Sequence, residues 1–327
     1  MQTQINRIGV FTSGGDAPGM NAAIRAVVRS AIYYDRKVFG IFRGYQGMIE
    51  GDIEELQLRS VSNILDRGGT MLKSARSKEF RTKEGRRAAY EKLKEKNIDA
   101  LVVIGGDGSF TGANIFEQEY GIPVIGIPGT IDNDLCGTNA TIGYDSATNV
   151  VVECIDKIRD TASSHNRLFF IEVMGRDAGF IALRTGIATG AIAIMLPEKK
   201  QSIEDLISIL DKASKRRKTS NIVIVAEGDE LGGAVEIAKK IEEQYSFYET
   251  KVTVLGHIQR GGSPSCFDRV LASQMGVAAV EGLLEGESNV MTGSQNGKIV
   301  YVPLDEAIKH TIKLNPEILK LTKILTI

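Results

Sequence analysis

Residues 100–109 read ALVVIGGDGS. Five apolar residues run without a polar gap, so neither face of this strand can be wet. That is the signature of a parallel strand covered on both sides. The strand then breaks on a glycine-rich turn carrying one carboxylate. The pattern repeats outward in both directions. RIGVF (7–11) is followed by TSGGDAPG (12–19), and IPVIGI (122–127) by PGTIDND (128–134). Further strand-like runs lie at 38–42, 168–173, 191–196, 221–226 and 252–255. Helical patterns separate them at 18–34, 83–96, 144–161, 202–217, 232–246 and 266–285. Alternation of this kind specifies an α/β architecture, in which ligands bind beyond the carboxyl ends of the strands.

The 327 residues, 43% of them hydrophobic, exceed one average domain, and two domains are expected. The polar stretch 136–143 is the expected first crossing between them, and the glycine-rich stretch 256–263 the crossing back. Forty basic residues against 41 acidic ones leave a formal charge of -1, with no excess of cations for nucleic acid or a membrane surface. Three scattered cysteines, no signal-like amino terminus and no membrane-length apolar run point to the cytoplasm. Glycine is high at 35 residues, about 11% against a usual ~7%, which suits close backbone approach to ligands.

The chemistry lies in the segments just past the strand ends. TSGGDAPG offers backbone N–H groups to an anion, with Pro18 suited to a helix start. It lacks the G-K-[ST] ending of a Walker A loop, and a plain strand-to-helix turn reads equally well. GGDGS can cradle phosphates while Asp107 holds Mg2+ through its waters; the alternative is an Asp capping a helix. In PGTIDND, two carboxylates two residues apart stand beside a hydroxyl. They can orient a substrate hydroxyl and accept its proton, as phosphoryl transfer requires. The same letters also spell an Asx-rich turn, but their place at the strand end next after GGDGS favours the catalytic reading. Later come Met174-Gly175-Arg176 and Gly256-His257-Ile258-Gln259-Arg260-Gly261-Gly262. Glycine beside arginine is a phosphate pocket in outline, because Arg grips phosphate with two parallel hydrogen bonds. His257, three residues before Arg260, faces the ligand on this reading.

Together, TSGGDAPGMNAAIR, GGT-x-L-x-SAR, GGDGS, PGTIDND, SSH-x-R, EVMGR and VLGHIQRGGSP resemble the bacterial-type ATP-dependent 6-phosphofructokinases, in the family's order, from residue 7 to about 310. The resemblance implies α/β architecture with two similar three-layer domains and mostly parallel sheets. Residues 1–142 with 258–308 would form the ATP-binding domain, and 143–257 with 309–327 the sugar-phosphate domain. It also implies roles. Gly14, Tyr45, Arg76, Ser77, Gly106, Gly108 and Ser109 would line the ATP site, and Asp107 would serve Mg2+. Asp132 would take the proton from the 1-hydroxyl of fructose 6-phosphate, supported by Thr130 and Asp134. Arg76 and Arg176 would stabilise the migrating phosphoryl group. Met174, Gly175 and Glu227 would position the sugar, and Arg167, Lys251, His257 and Arg260 would hold its 6-phosphate. In the family, the equivalents of Arg167 and Lys251 come from a neighbouring subunit of a homotetramer. An anionic effector site, taking ADP or phosphoenolpyruvate, would involve Arg25, Arg29, Arg159, Arg216 and Lys218.

Departures are specific. Lys251 stands where the family usually has Arg, which keeps the charge and loses the bidentate fork. Lys73 stands where many members have Gly. Leu58 replaces an effector-site Arg, with Arg59 beside it. Ile192 replaces a Glu that meets the effector's Mg2+ in the family, and an aliphatic side chain cannot ligate a hard cation. Pyrophosphate-dependent relatives typically carry Asp at the position of Gly108 and Lys at that of Gly129. The two glycines here favour ATP as donor. A non-catalytic sensor would be expected to have lost Asp107, Asp132 or Asp134, and all three are present. NAD-kinase and lipid-kinase readings account only for GGDGS.

Overall fold

The computed structural model describes residues 5–162, 167–215, 221–309 and 313–325. In chain order, the first elements are β1 (Arg7–Thr12), α1 (Met20–Tyr33), β2 (Lys37–Ile41), α2 (Gly44–Glu50), β3 (Ile53–Leu56), α3 (Lys83–Glu95), β4 (Ala100–Gly105), α4 (Asp107–Tyr120) and β5 (Val124–Pro128). The middle of the chain supplies α5 (Tyr144–Ala162), β6 (Arg167–Val173), α6 (Phe180–Ala188), β7 (Ala193–Met195), α7 (Ile203–Lys215), β8 (Ile222–Ala226), α8 (Ala234–Gln244) and β9 (Glu249–Val254). The end supplies α9 (Cys266–Glu285), β10 (Val290–Gln295), β11 (Lys298–Pro303), α10 (Leu304–Ala307) and α11 (Pro316–Leu325). They form two compact units. One comprises Met1–Ile131, Leu135–Asp145 and Arg260–Thr311; the other comprises Asp132–Asp134, Ser146–Gln259 and Ile312–Ile327.

The first unit is built on a seven-stranded sheet in the order β11-β10-β5-β4-β1-β2-β3. Its five inner strands are parallel, and the edge strands β3 and β11 run antiparallel. Every residue of β4 is buried, as its unbroken apolar run requires. One set of strand side chains, including Phe11, Phe39, Leu101 and Val103, packs with Met48, Leu93, Phe110 and Phe116 from α2, α3 and α4. The alternate set, Ile8, Val10, Val102 and Ile104, is also fully buried, under α1 and α9. Connections from β1 build outward through β2 to β3. Those from β4 build the other way through β5, so the sheet reverses direction between β1 and β4. A crevice opens at the carboxyl ends of such a pair.

The second unit carries a four-stranded parallel sheet, β7-β8-β6-β9. Leu168, Phe170, Val223 and Val225 pack with Leu206 and Leu210 of α7 and with Ile237 and Ile241 of α8. α6 covers the other face against β7 and β8. Both units are therefore three-layered with mostly parallel sheets, as the resemblance implied.

Three strands were not among the expected runs. β3 reads Ile-Glu-Glu-Leu, with only its ends buried, so it offers little hydrophobic signal. β10 and β11 are joined by Asn296-Gly297, whose φ angles of 51° and 77° suit a two-residue type I′ turn. The expected run 252–255 begins earlier, at Glu249, because pairing with β6 extends over polar residues. No helix among the described residues is long and apolar enough to cross a membrane.

α1 and α9 pack so closely that a Cβ on Gly276 would lie 2.5 Å from the Ala26 Cβ and 3.0 Å from the Ala23 carbonyl oxygen. Gly276→Leu should therefore force the helices apart and cost about 3 kcal/mol, the upper end for overpacking. A urea midpoint that falls with an unchanged m-value is the expected readout; an unshifted midpoint would contradict this packing.

Candidate functional site

In the first unit the sheet register brings three loops together. Thr12 pairs with Ile104, and Gly105 with Pro128. Beyond the pairing, the Ser13 amide donates to the Ile104 carbonyl (3.0 Å) and the Gly129 amide to the Gly105 carbonyl (2.9 Å). The loops after β1, β4 and β5 thus leave the sheet side by side. At this closeness Gly105 must be glycine, and Gly14 must be for its backbone angle. A Cβ on Gly105 would sit 2.5 Å from the Ser109 Oγ and 2.6 Å from the Ser13 carbonyl oxygen. One on Gly106 would touch the Thr130 side chain at 3.5 Å, and Gly14, with φ at 86°, would meet the Ser109 Oγ at 3.5 Å. A Cβ on Gly108, by contrast, would meet nothing within 4 Å. Gly14, Gly106, Gly108, Ser109 and Thr130 therefore share one small region. Asp107 opens α4 there, half-buried, where the helix dipole favours a negative group.

Tyr45 is buried behind this loop. Its hydroxyl donates to the Ser109 carbonyl at 2.6 Å, its ring stacks on Phe80 at 3.9 Å, and burial pushes its pKa up. It braces the first turn of α4 and presents little surface to a ligand. The segment 73–77 lies over the loop after β1. The Ser74 hydroxyl donates to the Gly14 carbonyl (2.9 Å), and the Lys73 carbonyl accepts from the Thr12 hydroxyl (2.8 Å). Ser77 donates to Gln46 and accepts from the Phe80 amide, so it caps a short turn. Arg76 is exposed and has no ion-pair partner among the described residues. The Arg260 guanidinium packs over Gly15 and donates to the Asp16 carbonyl at 3.0 Å. One organising residue had no role in the sequence reading. Buried Asn21 donates to the carbonyls of Arg67 and Gly68 and accepts the Met71 amide at 2.7 Å, pinning the GGT loop. A lone amide on an otherwise apolar face of α1 was the available signal.

In the second unit the loops after β6 and β8 adjoin, because Val173 pairs with Ala226. Arg176, at φ 54°, donates its amide to the Glu227 carboxylate (2.9 Å). Gly175 has φ at 145°, and a Cβ there would lie 2.3 Å from the Ala178 carbonyl. The Met174 amide donates to Gln259 (3.2 Å), and Gln259, fully buried, donates back to the Gly256 carbonyl. Gln259 therefore ties the turn bearing exposed His257 to the loop after β6, a second positioning residue that the motif contained and the sequence reading did not use. Asp132, Asn133 and Asp134 are half-buried, with Asn133 at φ 54°.

Two expected phosphate ligands stand apart from this group. Arg167 begins β6, and Lys251 pairs with Phe169 nearby on β9. Six residue steps of strand separate Arg167 from Val173, about 20 Å at the usual rise. Both cations close on Glu249, Lys251 at 2.5 Å and Arg167 at 3.1 Å, and together they hold its carboxyl below the usual range. Of the expected effector residues, Arg25 is half-buried and Arg29 exposed on α1, and Arg159 donates to the Thr189 carbonyl. Arg216 and Lys218 lie outside the described residues, as does most of SSH-x-R. Leu58 is exposed, whereas Ile192 is 3% exposed within the second unit's core.

Comparison with known proteins agrees with the geometry. The family model described as Phosphofructokinase matches residues 7–283. The chain is 53% identical over 320 residues to "ATP-dependent 6-phosphofructokinase 2" of Bacteroides thetaiotaomicron, covering 98% of each. It is 54% identical over 323 residues to "ATP-dependent 6-phosphofructokinase 1" of Thermus thermophilus, covering 99% of this chain and 100% of that one. Among solved structures, phosphofructokinase from Saccharomyces cerevisiae superposes with a TM-score of 0.89 at 39% identity; the match covers 98% of this chain and 48% of the longer yeast chain. On the extent of both matches, the chain belongs to the phosphofructokinase family.

Proposed function

We propose that the chain moves the γ-phosphoryl group of Mg-ATP to the 1-hydroxyl of fructose 6-phosphate, giving fructose 1,6-bisphosphate and ADP, the committed phosphorylation of glycolysis. The observation that carries this reading is the meeting of three post-strand loops at the β1/β4 reversal, with Gly14, Gly106, Gly108 and Ser109 around one region and Asp107 at its helix start. Backbone N–H groups there cradle phosphate oxygens. The residues suit Mg2+. Asp107 is half-buried beside open space at Gly108, and no group of three or more His, Cys, Asp or Glu among the described residues forms an all-protein cage. Mg2+ keeps several waters and takes one or two carboxylates plus phosphate oxygens, and when bound it offsets their charge.

The chain's own groups do the rest. Asp132 accepts the proton of the sugar's 1-hydroxyl as the O–P bond forms, with Thr130 and Asp134 holding that hydroxyl in line. Arg76 and Arg176 offset charge on the migrating group. Met174, Gly175 and Glu227 hold the sugar, and His257 and Arg260 its 6-phosphate. On this reading Tyr45 acts on the nucleotide site through Ser109. The first unit is the ATP-binding one and the second the sugar-phosphate one. ATP rather than pyrophosphate is the donor, because space at Gly108 admits the α-phosphate. A side chain at Gly129 would begin 3.0 Å from Ile104 and 3.1 Å from Met20. A coupled assay with fructose 6-phosphate should show turnover with ATP and little with pyrophosphate. Equal rates with both would overturn the donor assignment.

The strand-length separation of Arg167 and Lys251 from Arg176 supports a site completed by a neighbouring copy, within a homotetramer. Asp132→Ser should lower kcat by about 10²–10⁴, and Arg167→Ala should sharply raise KM for fructose 6-phosphate. Mixed and reassembled, the two impaired variants should regain activity at low fructose 6-phosphate, because some sites then receive intact Asp132 from one copy and intact Arg167 from another. A mixture no more active than its parts would show that Arg167 serves its own chain.

Regulation turns on Ile192. Its burial among apolar side chains leaves no side-chain oxygen for a metal at this position, while Arg25, Arg29 and Arg159 retain positive charge for an anionic effector. Saturation curves for fructose 6-phosphate should shift little with millimolar Mg-ADP, whereas metal-free phosphoenolpyruvate should still shift them. Strong Mg-ADP activation at low sugar would contradict this.

A further inference from the structure

Lys73 adopts φ 58°, in the left-handed region that favours glycine. Such strain in a non-glycine residue persists only where surrounding contacts over-determine the backbone, and it concentrates at functional sites. The contacts here are clear. The Lys73 amide donates to the Thr70 carbonyl, its own carbonyl accepts the Thr12 hydroxyl at 2.8 Å, and the next residue, Ser74, donates to the Gly14 carbonyl at 2.9 Å. On the other side, Leu72 is fully buried and its carbonyl accepts the Arg43 amide. The backbone of Lys73 is thereby held against the loop after β1, next to Gly14, which in turn faces Ser109. The side chain is exposed and makes no hydrogen bond or ion pair among the described residues. A flexible four-carbon stem on a fixed backbone thus carries an uncommitted ammonium beside the glycine cradle.

We propose that Lys73 is a further nucleotide-binding residue of this chain, its ammonium contacting phosphate oxygens of the donor nucleotide alongside Arg76. The inference rests on ATP being the donor, and the wild-type coupled assay tests that separately. A solvated loop lysine would account for the exposure, but not for a strained backbone pinned on both sides at the cradle.

Three variants test it in the full-length enzyme. Lys73→Met removes the charge and keeps the stem. Lys73→Gly removes both while relieving the left-handed backbone, so a loss of folding cannot explain its result. Lys73→Arg keeps the charge. The first two should raise KM for ATP, and the dissociation constant for Mg-ADP measured by titration calorimetry, by about tenfold, the equivalent of about 1.4 kcal/mol. Both should leave kcat and KM for fructose 6-phosphate within about twofold, the signature of lost uniform binding. Lys73→Arg should stay close to wild type. If the wild type works with ATP, and Met and Gly variants bind nucleotide as tightly as it does, the assignment is wrong while the donor reading stands. If the wild type prefers pyrophosphate, both fall.

Discussion

The parallel pairing of β1 with β4 is the constraint on which the first unit's chemistry depends. Once Thr12 stands beside Ile104, the two chains leave the sheet at one level and in one direction. The Ser13 amide then reaches the Ile104 carbonyl, and Ser109 comes within contact of Gly14 and Gly105. A single added methyl at Gly105 would drive into both the Ser13 backbone and the Ser109 side chain. The tightness has a chemical use. The N–H groups that start α4 face the turn of the loop after β1, where their partial charges favour an anion. The strands themselves are pinned by apolar side chains buried on both faces, so the loops can be irregular without loosening the frame.

In the second unit the spacing runs the other way. β6 separates as much as it assembles. Its carboxyl end positions Met174, Gly175 and Arg176 against Glu227, while its amino end pairs Arg167 with the Glu249 carboxylate of β9, which Lys251 shares. A strand is stiff at this length, so Arg167 cannot swing to the other end. Glu249 keeps Arg167 and Lys251 together at the far end. The two exposed ion pairs contribute little to stability, yet they restrict where both cations point.

Much of this was legible in the sequence, for physical reasons. Buried parallel strands must be apolar throughout, so ALVVI and RIGVF announced themselves, and the polar residues next to them were bound to lie at strand ends. The elements that escaped had weak or different signals. β3 buries only two of its four residues. The β10–β11 hairpin was marked by Asn296-Gly297 rather than by hydrophobicity. Asn21 showed only as a lone amide on an apolar helix face, and Gln259 only as one letter of a glycine-rich motif; their partners at Arg67, Gly68, Met71 and Met174 are distant in sequence. Tyr45 shares the site's neighbourhood but turns its hydroxyl inward to the Ser109 carbonyl, an orientation set by stacking on Phe80. The long reach between Arg167 and Arg176 is a count of strand residues, and it became visible only once β6 had defined ends.

Left-handed backbone at non-glycine residues links these features. Lys73, Asn133 and Arg176 all take it, each within a motif expected to touch substrate. Each costs roughly 1 kcal/mol or more, and a fold of this size tolerates the sum because its interior strands are so fully buried. The conformation has local consequences. At Arg176 it sends the amide to Glu227 while the side chain leaves in another direction. At Lys73 it turns the carbonyl toward Thr12 and frees the side chain from the loop beneath. Asparagine tolerates the conformation better than most residues, which suits Asn133. Lysine and arginine have no such tolerance. Arg43 takes the same conformation but commits its guanidinium to Glu50 and Asp52, and Lys157 and Lys215 sit on regular helices paired with a carboxylate four residues away; Lys73 combines the strained backbone with a side chain that pairs with no carboxylate among the described residues.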